Sequence, residues 1–331
     1  MCKPRVPLKI LNYALTLEHL EAAFYSGGLE KFDNNSFNAV QADRGRFQQI
    51  ADQEAAHVAF LTAALGKDAT AACNYSFPYN DVSSFVALAS VLESVGGHAA
   101  HMLDITGAAQ YIQNPVYLTA AGAILTTEAR HQAYISYVDG QAPWSGAFDT
   151  PETLSNVYSL AAGFITTCPS TNPALPVLAF PKLNVTSTGN ITAGQPLTLA
   201  FTPANSTSAN TTTPYFVAFF SGLTVSFAPL GANNNTVIIP DGLNGTVFAV
   251  VTTIGNGTVT DGNTVAGPHI LSLGGLDVSG GTGGSGTLNT TQGGSTGGTL
   301  TGKKGAASPN IGVKSGASIA VVIAGVISLV V

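Results

Sequence analysis

The chain has 331 residues, a length that suits about two domains of roughly 150 residues each. Only 9% of its residues are charged, against about 25% in typical soluble proteins, so a carboxylate inside an apolar helix requires an explanation. The net charge of −6 and the lack of any Lys/Arg cluster argue against nucleic-acid binding, and we expect no nucleic-acid partner.

The first predicted helix covers residues 8–32, where apolar residues recur at the spacing of one helix face. Glu18 falls within this apolar stripe, and Glu21 lies near the same face. We expect Gly27 and Gly28 to weaken or end the helix, because glycine costs helix stability. The segment therefore carries acidic side chains on a face that should be buried.

The second predicted helix covers residues 44–66 and contains a Glu-x-x-His pair, Glu54 and His57. Residues three apart share a helix face, so a carboxylate and an imidazole here can bind one metal ion together. Gly66 is the expected C-terminal stop, and Asp81, at the end of the following loop, is a candidate N-cap for the next helix.

The third predicted helix covers residues 82–112 and places Glu93 on its apolar face. His98 and His101 follow Glu93 closely. We interpret these two histidines as neighbours of a site or as structural residues, and not as direct metal ligands.

The fourth predicted helix covers residues 115–138 and contains the second Glu-x-x-His pair, Glu128 and His131. One such pair is weak evidence, since any soluble helix can carry one by chance. Two pairs, each within an apolar helical pattern, are stronger evidence. The apolar segment from 151 to 167 is a candidate fifth helix.

Together the four helices supply four carboxylates and two imidazoles, from Glu18, Glu54, His57, Glu93, Glu128 and His131. Dinuclear carboxylate sites in four-helix bundles use this set: one Glu from each of two helices and Glu-x-x-His from the other two. Four buried carboxylates must be neutralised, and two iron or manganese ions would do so. The alternative is that some of these residues are exposed and the helices form an ordinary helical domain.

The segment LEHLEAAFYSGGLEKF resembles the opening helix of the fungal ferritin-like domain proteins, a family also described as stress-response or desiccation-related. The resemblance covers residues 8–168 and implies a ferritin-like four-helix bundle with a long crossover after its second helix. In the wider superfamily the first-helix ligand is a Glu followed seven residues later by Tyr, which selects Glu18 with Tyr25. Glu21 is then a neighbour of the site or an alternative ligand.

The predicted site allows three kinds of function. Carboxylate and imidazole ligands suit Fe(II) and Mn(II), so the site could support iron oxidation or peroxide disproportionation. It could instead bind or sequester metal without turnover. The third alternative is a non-enzymatic structural or stress-protection protein of the cell wall that keeps the bundle, and the complete ligand set argues against it. Fold alone does not decide among them.

After the bundle the composition changes, and the sequence predicts a multidomain chain. Short β-type runs such as YFVAFF and GTVFAVVTTI, separated by turn residues, predict a small β-sandwich of about six or seven strands. We interpret it as a spacer or adhesive module, with cell-wall polysaccharide as a candidate partner. The predicted parts are a helical bundle (1–168), a Pro-rich linker (169–182), the β-sandwich (183–273), a disordered Gly/Ser/Thr stalk (274–308) and a signal tail (309–331).

N-x-S/T sequons are dense, and their number favours a secreted glycoprotein over chance occurrence. The candidate glycosylation sites are Asn34, Asn74, Asn184, Asn190, Asn205, Asn210, Asn234, Asn244, Asn256 and Asn289.

The C-terminal segment from Ala317 to Val331 is apolar, and a polar spacer with small residues precedes it. This order is typical of a signal for attachment of a GPI lipid, which we place near Gly305 or Ala306. The alternatives are a short tail anchor and a plain terminal helix. The start of the chain has no secretion signal, so we expect a missing N-terminal piece; otherwise the protein never enters the secretory route.

In an oxidising compartment, Cys73 and Cys168 are candidates for a disulfide that ties the crossover to the end of the bundle. Cys2 would then be left over. Sequence alone leaves this pairing open, and nothing around the cysteines suggests a nucleophile.

Overall fold

A computed structural model describes residues 6–103, 114–144, 146–187, 191–203, 214–231 and 235–273 of the chain. The side chains of 95–103 lie outside this description, and those of His98 and His101 are among them. The predicted stalk and tail, with Gly305 and Ala306, also lie outside it.

Four long helices dominate the N-terminal half of the described chain. In chain order the α-helices are α1 (Val6–Lys31), α2 (Asn34–Asn38), α3 (Arg44–Leu65), α4 (Val82–Leu103), α5 (Pro115–Val138) and α6 (Leu154–Ala162). Several ends have the expected chemistry: the Asp81 carboxylate accepts a hydrogen bond from the Ser84 amide at 2.8 Å, and Gly66 follows α3 with a φ of 57°.

The expectation that Gly27 and Gly28 end the first helix is wrong, because α1 continues to Lys31. A Cβ atom at Gly28 would lie 2.1 Å from a ring carbon of Phe85, which belongs to α4. The Phe85 ring also stacks on Phe24, with ring centroids 4.7 Å apart. Gly28 is therefore a point of close approach between two helices, and the packing it permits offsets its low helix propensity.

Two apolar clusters show how the long helices run. The C-terminal half of α1 packs with the N-terminal ends of α3 and α4, around Phe24, Phe47 and Phe85. The N-terminal half of α1 packs with the C-terminal end of α3, through Leu15 and Leu61. Both α3 and α4 are thus antiparallel to α1 and parallel to each other, so the chain must return along the helices between them.

Residues 66–81 make this return, and they are fixed at their middle. A disulfide joins Cys73 to Cys168, across a sequence separation of 95 residues. Beside it the short strands β1 (Asn74–Tyr75) and β2 (Ile165–Thr167) pair in antiparallel fashion. The crossover is therefore attached to the segment that follows α6, and the disulfide limits the freedom of the unfolded chain.

The second half of the described chain forms two antiparallel sheets. One has the order β3-β4-β7 and the other β6-β5-β8-β9, from the strands β3 (Asn184–Val185), β4 (Pro196–Ala200), β5 (Phe216–Ser221), β6 (Thr224–Pro229), β7 (Thr236–Ile238), β8 (Gly245–Thr252) and β9 (Thr264–Leu273). Both sheets contribute to one apolar cluster, which includes Leu197, Val237 and Val217. Successive residues of β8 from Val247 to Val251 are fully buried, so both faces of the four-stranded sheet are covered.

The helical and β-rich parts belong to one compact unit. The Ser155 hydroxyl, on α6, donates to the Asp261 carboxylate at 2.7 Å and accepts from the Leu178 amide at 3.1 Å. The Thr150 hydroxyl accepts from the amide of Gly222, in the turn between β5 and β6. The Pro-rich segment 169–182 is thus hydrogen-bonded to α6. None of the helices in the described ranges is both long and apolar enough to cross a membrane.

Glu152, just before α6, is a buried carboxylic acid. One of its oxygens accepts a hydrogen bond from the Asn156 amide at 2.6 Å, and the other has no hydrogen bond. Burial raises the pKa of Glu152 to about 8, although the Asn156 contact opposes the shift. Because the folded state holds this proton more tightly than the unfolded chain, the stability it contributes is present at acid pH and is lost as pH rises toward 8.

We therefore expect Glu152→Gln to flatten the dependence of stability on pH and to be more stable than the wild type above pH 8. The free energy of unfolding, measured in urea from pH 5 to 9, should separate the two proteins by up to about 1.4 kcal/mol per pH unit. Glu30→Gln, which changes an exposed residue, is the control. A difference between Glu152→Gln and the wild type that does not vary with pH would contradict this assignment.

Candidate metal centre

Six acidic and imidazole side chains from the middle of the four long helices meet between the two apolar clusters. Each long helix contributes at least one carboxylate, and α3 and α5 each add an imidazole one turn further on. The cluster on one side is rich in aromatic residues, and the cluster on the other side is aliphatic. The six residues are those that the sequence indicates: Glu18, Glu54, His57, Glu93, Glu128 and His131.

The first half of the site surrounds His57. Its Nδ1 atom lies 3.2 Å from a carboxylate oxygen of Glu18, 3.2 Å from Glu54 and 3.1 Å from Glu128. One ligand atom from each of these four residues lies within 4.8 Å of all the others. Such a group is small enough to surround a single metal ion.

The second half surrounds His131. Its Nδ1 atom lies 2.9 Å from Glu54, 3.8 Å from Glu93 and 3.6 Å from Glu128. Glu54, Glu93, Glu128 and His131 again offer four ligand atoms within 4.8 Å of one another. Glu54 and Glu128 occur in both halves, and the two imidazole rings have centroids 6.5 Å apart. The two four-ligand groups thus share two carboxylates, and together they contain the ligand set that ferritin-like bundles use for metal binding.

The hydrogen bonding of the site is incomplete in a way that points to cations. Several buried atoms have no hydrogen bond of good geometry, although the imidazoles lie within ion-pair distance of some of them: one oxygen of Glu54, one of Glu93, both of Glu128 and Nδ1 of His131. Buried polar atoms are normally hydrogen-bonded, so a cluster of exceptions among metal-ligand types requires an explanation. Two metal ions would contact these atoms, and the residues present fit such a pair.

The electrostatics of the site also indicate that positive charge is needed beside the carboxylates. Burial raises the pKa of Glu18 and of Glu93 well above the usual range of a carboxylic acid. For Glu54, burial is outweighed by contacts with His131 and His57, which lower the pKa to about 2. For the two histidines, burial lowers the pKa, but the neighbouring carboxylates, Glu128 first, raise it by more. The pKa of His57 is strongly raised, and that of His131 is raised to about 10. Without metal, protons on the imidazoles supply the positive charge.

The two halves differ in their access to solvent. The side chain of His57 is 12% exposed and that of Glu18 is 7% exposed. The corresponding values are 5% for His131 and 1% for Glu93. Glu93 also accepts a hydrogen bond from the buried Tyr25 hydroxyl. A small molecule approaching the site would therefore meet the His57 half first.

Two further polar side chains, Glu21 and Gln53, are neighbours of the ligands. Glu21 is buried but belongs to neither four-ligand group. Burial, followed by the charges of Glu128 and Glu54, raises the pKa of Glu21 well above its usual range. The sequence pattern does not indicate Gln53, whose side-chain oxygen lies 2.6 Å from Nε2 of His131. Its position directly before Glu54 is the signal that could have found it.

Comparison with known proteins identifies the helical part. Residues 7–141 match the family model of the ferritin-like domain, so the chain carries an N-terminal ferritin-like domain, followed by antiparallel β-sheets. The chain is also similar to Protein rds1 of Schizosaccharomyces pombe (strain 972 / ATCC 24843). The two proteins are 28% identical over an alignment of 331 positions, and this alignment covers 80% of each chain. The family match supports a ferritin-like domain, the relative is a fungal protein, and the domain contains acidic and histidine groups that could bind metal.

We expect metal to raise the thermal stability of the full chain, because an ion that binds only the folded state stabilises it by mass action. Mn(II) at about 100 times its Kd should add roughly 2.7 kcal/mol. Melting in Mn(II) and in EDTA measures the difference, which should disappear in Glu54→Gln and persist in Asp52→Asn, a change on the exposed face of α3. A wild-type Tm that does not respond to Mn(II) would argue against the site.

Proposed function

We propose that the four long helices form a ferritin-like four-helix bundle that binds two iron or manganese ions and uses them in redox chemistry. The observation that carries this proposal is the pair of four-ligand groups that share Glu54 and Glu128. Surface acidic clusters are common, but a buried set with two shared carboxylates and one imidazole in each half is specific to a dinuclear site.

Each ligand has a distinct role in this proposal. Glu54 and Glu128, which belong to both groups, would be shared by the two ions; Glu18 and His57 would complete the ligands of one ion, and Glu93 and His131 those of the other. Four ionised carboxylates balance the charge of two divalent cations, and neutral imidazoles add none. Oxygen and nitrogen ligands of this kind suit Fe(II) and Mn(II).

Two bound iron or manganese ions would supply electrons for reaction with dioxygen or peroxide, as in iron oxidation or peroxide disproportionation. The protein's residues hold the ions, exclude bulk water and leave the His57 side closest to solvent. A link to oxidative or desiccation stress is part of the proposal, and the sequence of the first helix supports it by its resemblance to stress-response proteins. A protein that binds metal without turnover, or a non-enzymatic wall protein, is the alternative outcome.

The metal content of the full chain, measured by elemental mass spectrometry, tests the proposal. We expect about two iron or manganese ions per chain and their loss from the His57→Ala/His131→Ala double variant. His269→Ala is a matched control, since that histidine contacts the carbonyl of Leu183 in the β-rich part. Metal-loaded wild type is then assayed with peroxide and with Fe(II) in air. No bound metal after reconstitution would favour the non-enzymatic alternative.

We further propose that the protein is a glycoprotein of the cell surface, carried by a GPI lipid near Gly305 or Ala306. Five sequon asparagines lie in the described residues, and all of them are exposed: Asn34, Asn74, Asn184, Asn244 and Asn256. The others, Asn190, Asn205, Asn210, Asn234 and Asn289, lie outside the described residues. The disulfide suits an oxidising compartment and supports the same location.

Expression in a fungal host behind a secretion signal tests this location. We expect treatment with an N-glycosidase to lower the mass of the protein, and a phosphatidylinositol-specific phospholipase C to release it from cells. Substituting Gly305 and Ala306 by proline should abolish attachment while glycosylation persists. A protein that stays inside the cell without glycans would refute the proposed location and leave the metal site unaffected.

A further inference from the structure

The imidazole of His131 is held between two consecutive residues of α3. Glu54 places an oxygen 2.9 Å from Nδ1, and Gln53 places its amide oxygen 2.6 Å from Nε2. Consecutive helical side chains leave the axis about 100° apart, so they can reach opposite edges of one ring. The ring orientation of His131 is thus determined from a neighbouring helix.

The Gln53 contact also determines which nitrogen of His131 is available to a metal ion. An amide oxygen accepts hydrogen bonds and does not donate them, so Nε2 must carry the hydrogen. Nδ1 then faces the carboxylates of Glu54, Glu93 and Glu128, and a metal ion can bind there. Metal-binding histidines generally have such a partner on the other nitrogen, and its loss weakens the site.

We propose that Gln53 is a positioning residue that makes the His131 half the tighter of the two ion positions. This inference rests on the proposed dinuclear site. The lower exposure of His131 and Glu93 supports it, as does the hydrogen bond from Tyr25, which fixes Glu93 in the same half. The more exposed half, with Glu18 and His57, is the more readily exchanged position.

Binding of Mn(II) to the metal-free full chain tests the assignment, with the unbound ion measured by its electron paramagnetic resonance signal. We expect one tight and one weaker ion in the wild type. Gln53→Ala should weaken the tight ion by about 10–100-fold and leave the weaker one unchanged. Gln53→Glu keeps an acceptor oxygen and should keep tight binding. Glu18→Gln removes a ligand from the other half and should retain the tight ion alone.

A second measurement distinguishes positioning from a general loss of structure. In the Zn(II)-loaded wild type we expect the Nε2 proton of His131 to exchange slowly with water in proton NMR, and Gln53→Ala should lose that signal. Gln48→Ala is the control, because Gln48 is exposed on the same helix and its side-chain amide donates a hydrogen bond to Asp52, which is not a ligand. Melting in EDTA checks folding: Gln53→Ala should unfold as cooperatively as the wild type and at most a few degrees lower, since it loses one hydrogen bond.

The outcomes separate this inference from the proposed function. If Gln53→Ala binds both ions as the wild type does, or loses the ion of the Glu18 half, the inference is wrong and the dinuclear site stands. If the wild type binds neither Mn(II) nor Fe(II), both are wrong.

Discussion

The burial of four carboxylates at one level of an apolar helical core is the constraint on which the rest of the helical part depends. Ionised carboxylates in such surroundings repel one another and lack solvation, so positive charge must be supplied there. Two protonated imidazoles can supply part of it, and two divalent cations can supply all of it. When metal is absent, burial raises the pKa values of Glu18 and Glu93, because an ionised carboxylate is poorly solvated there.

The packing around the site maintains this costly arrangement. Aromatic rings on one side and aliphatic side chains on the other fix the four helices, and close approach at Gly28 lets the Phe85 ring fill the space beside α1. The crossover that makes α3 and α4 parallel is attached by the Cys73–Cys168 disulfide. Ligands from four different helices can therefore keep their positions despite the repulsion between them.

Much of this architecture could be predicted from the sequence, because periodicity and ligand spacing are local. The pairs Glu54/His57 and Glu128/His131 each occupy one helix face, and helical spacing alone indicates that the two residues of each pair act together. The role of Gly28 could not be predicted, since it depends on a ring from a helix more than fifty residues later in the chain. The role of Gln53 could not be predicted for the same reason, since its partner, His131, is 78 residues away in the chain.

The last helix has a consequence for how this protein is divided. The ferritin-like match ends at residue 141, yet Val157 and Ala161 of α6 belong to the same apolar cluster as Phe24 and Phe85. The same helix contacts β9, and its Ser155 is bonded to Asp261 and Leu178. The stretch that matches the family model is therefore smaller than the stretch that must fold together. A chain cut at residue 141 would lose part of the wall of its own core, so the end of the family match and the end of the folding unit do not coincide.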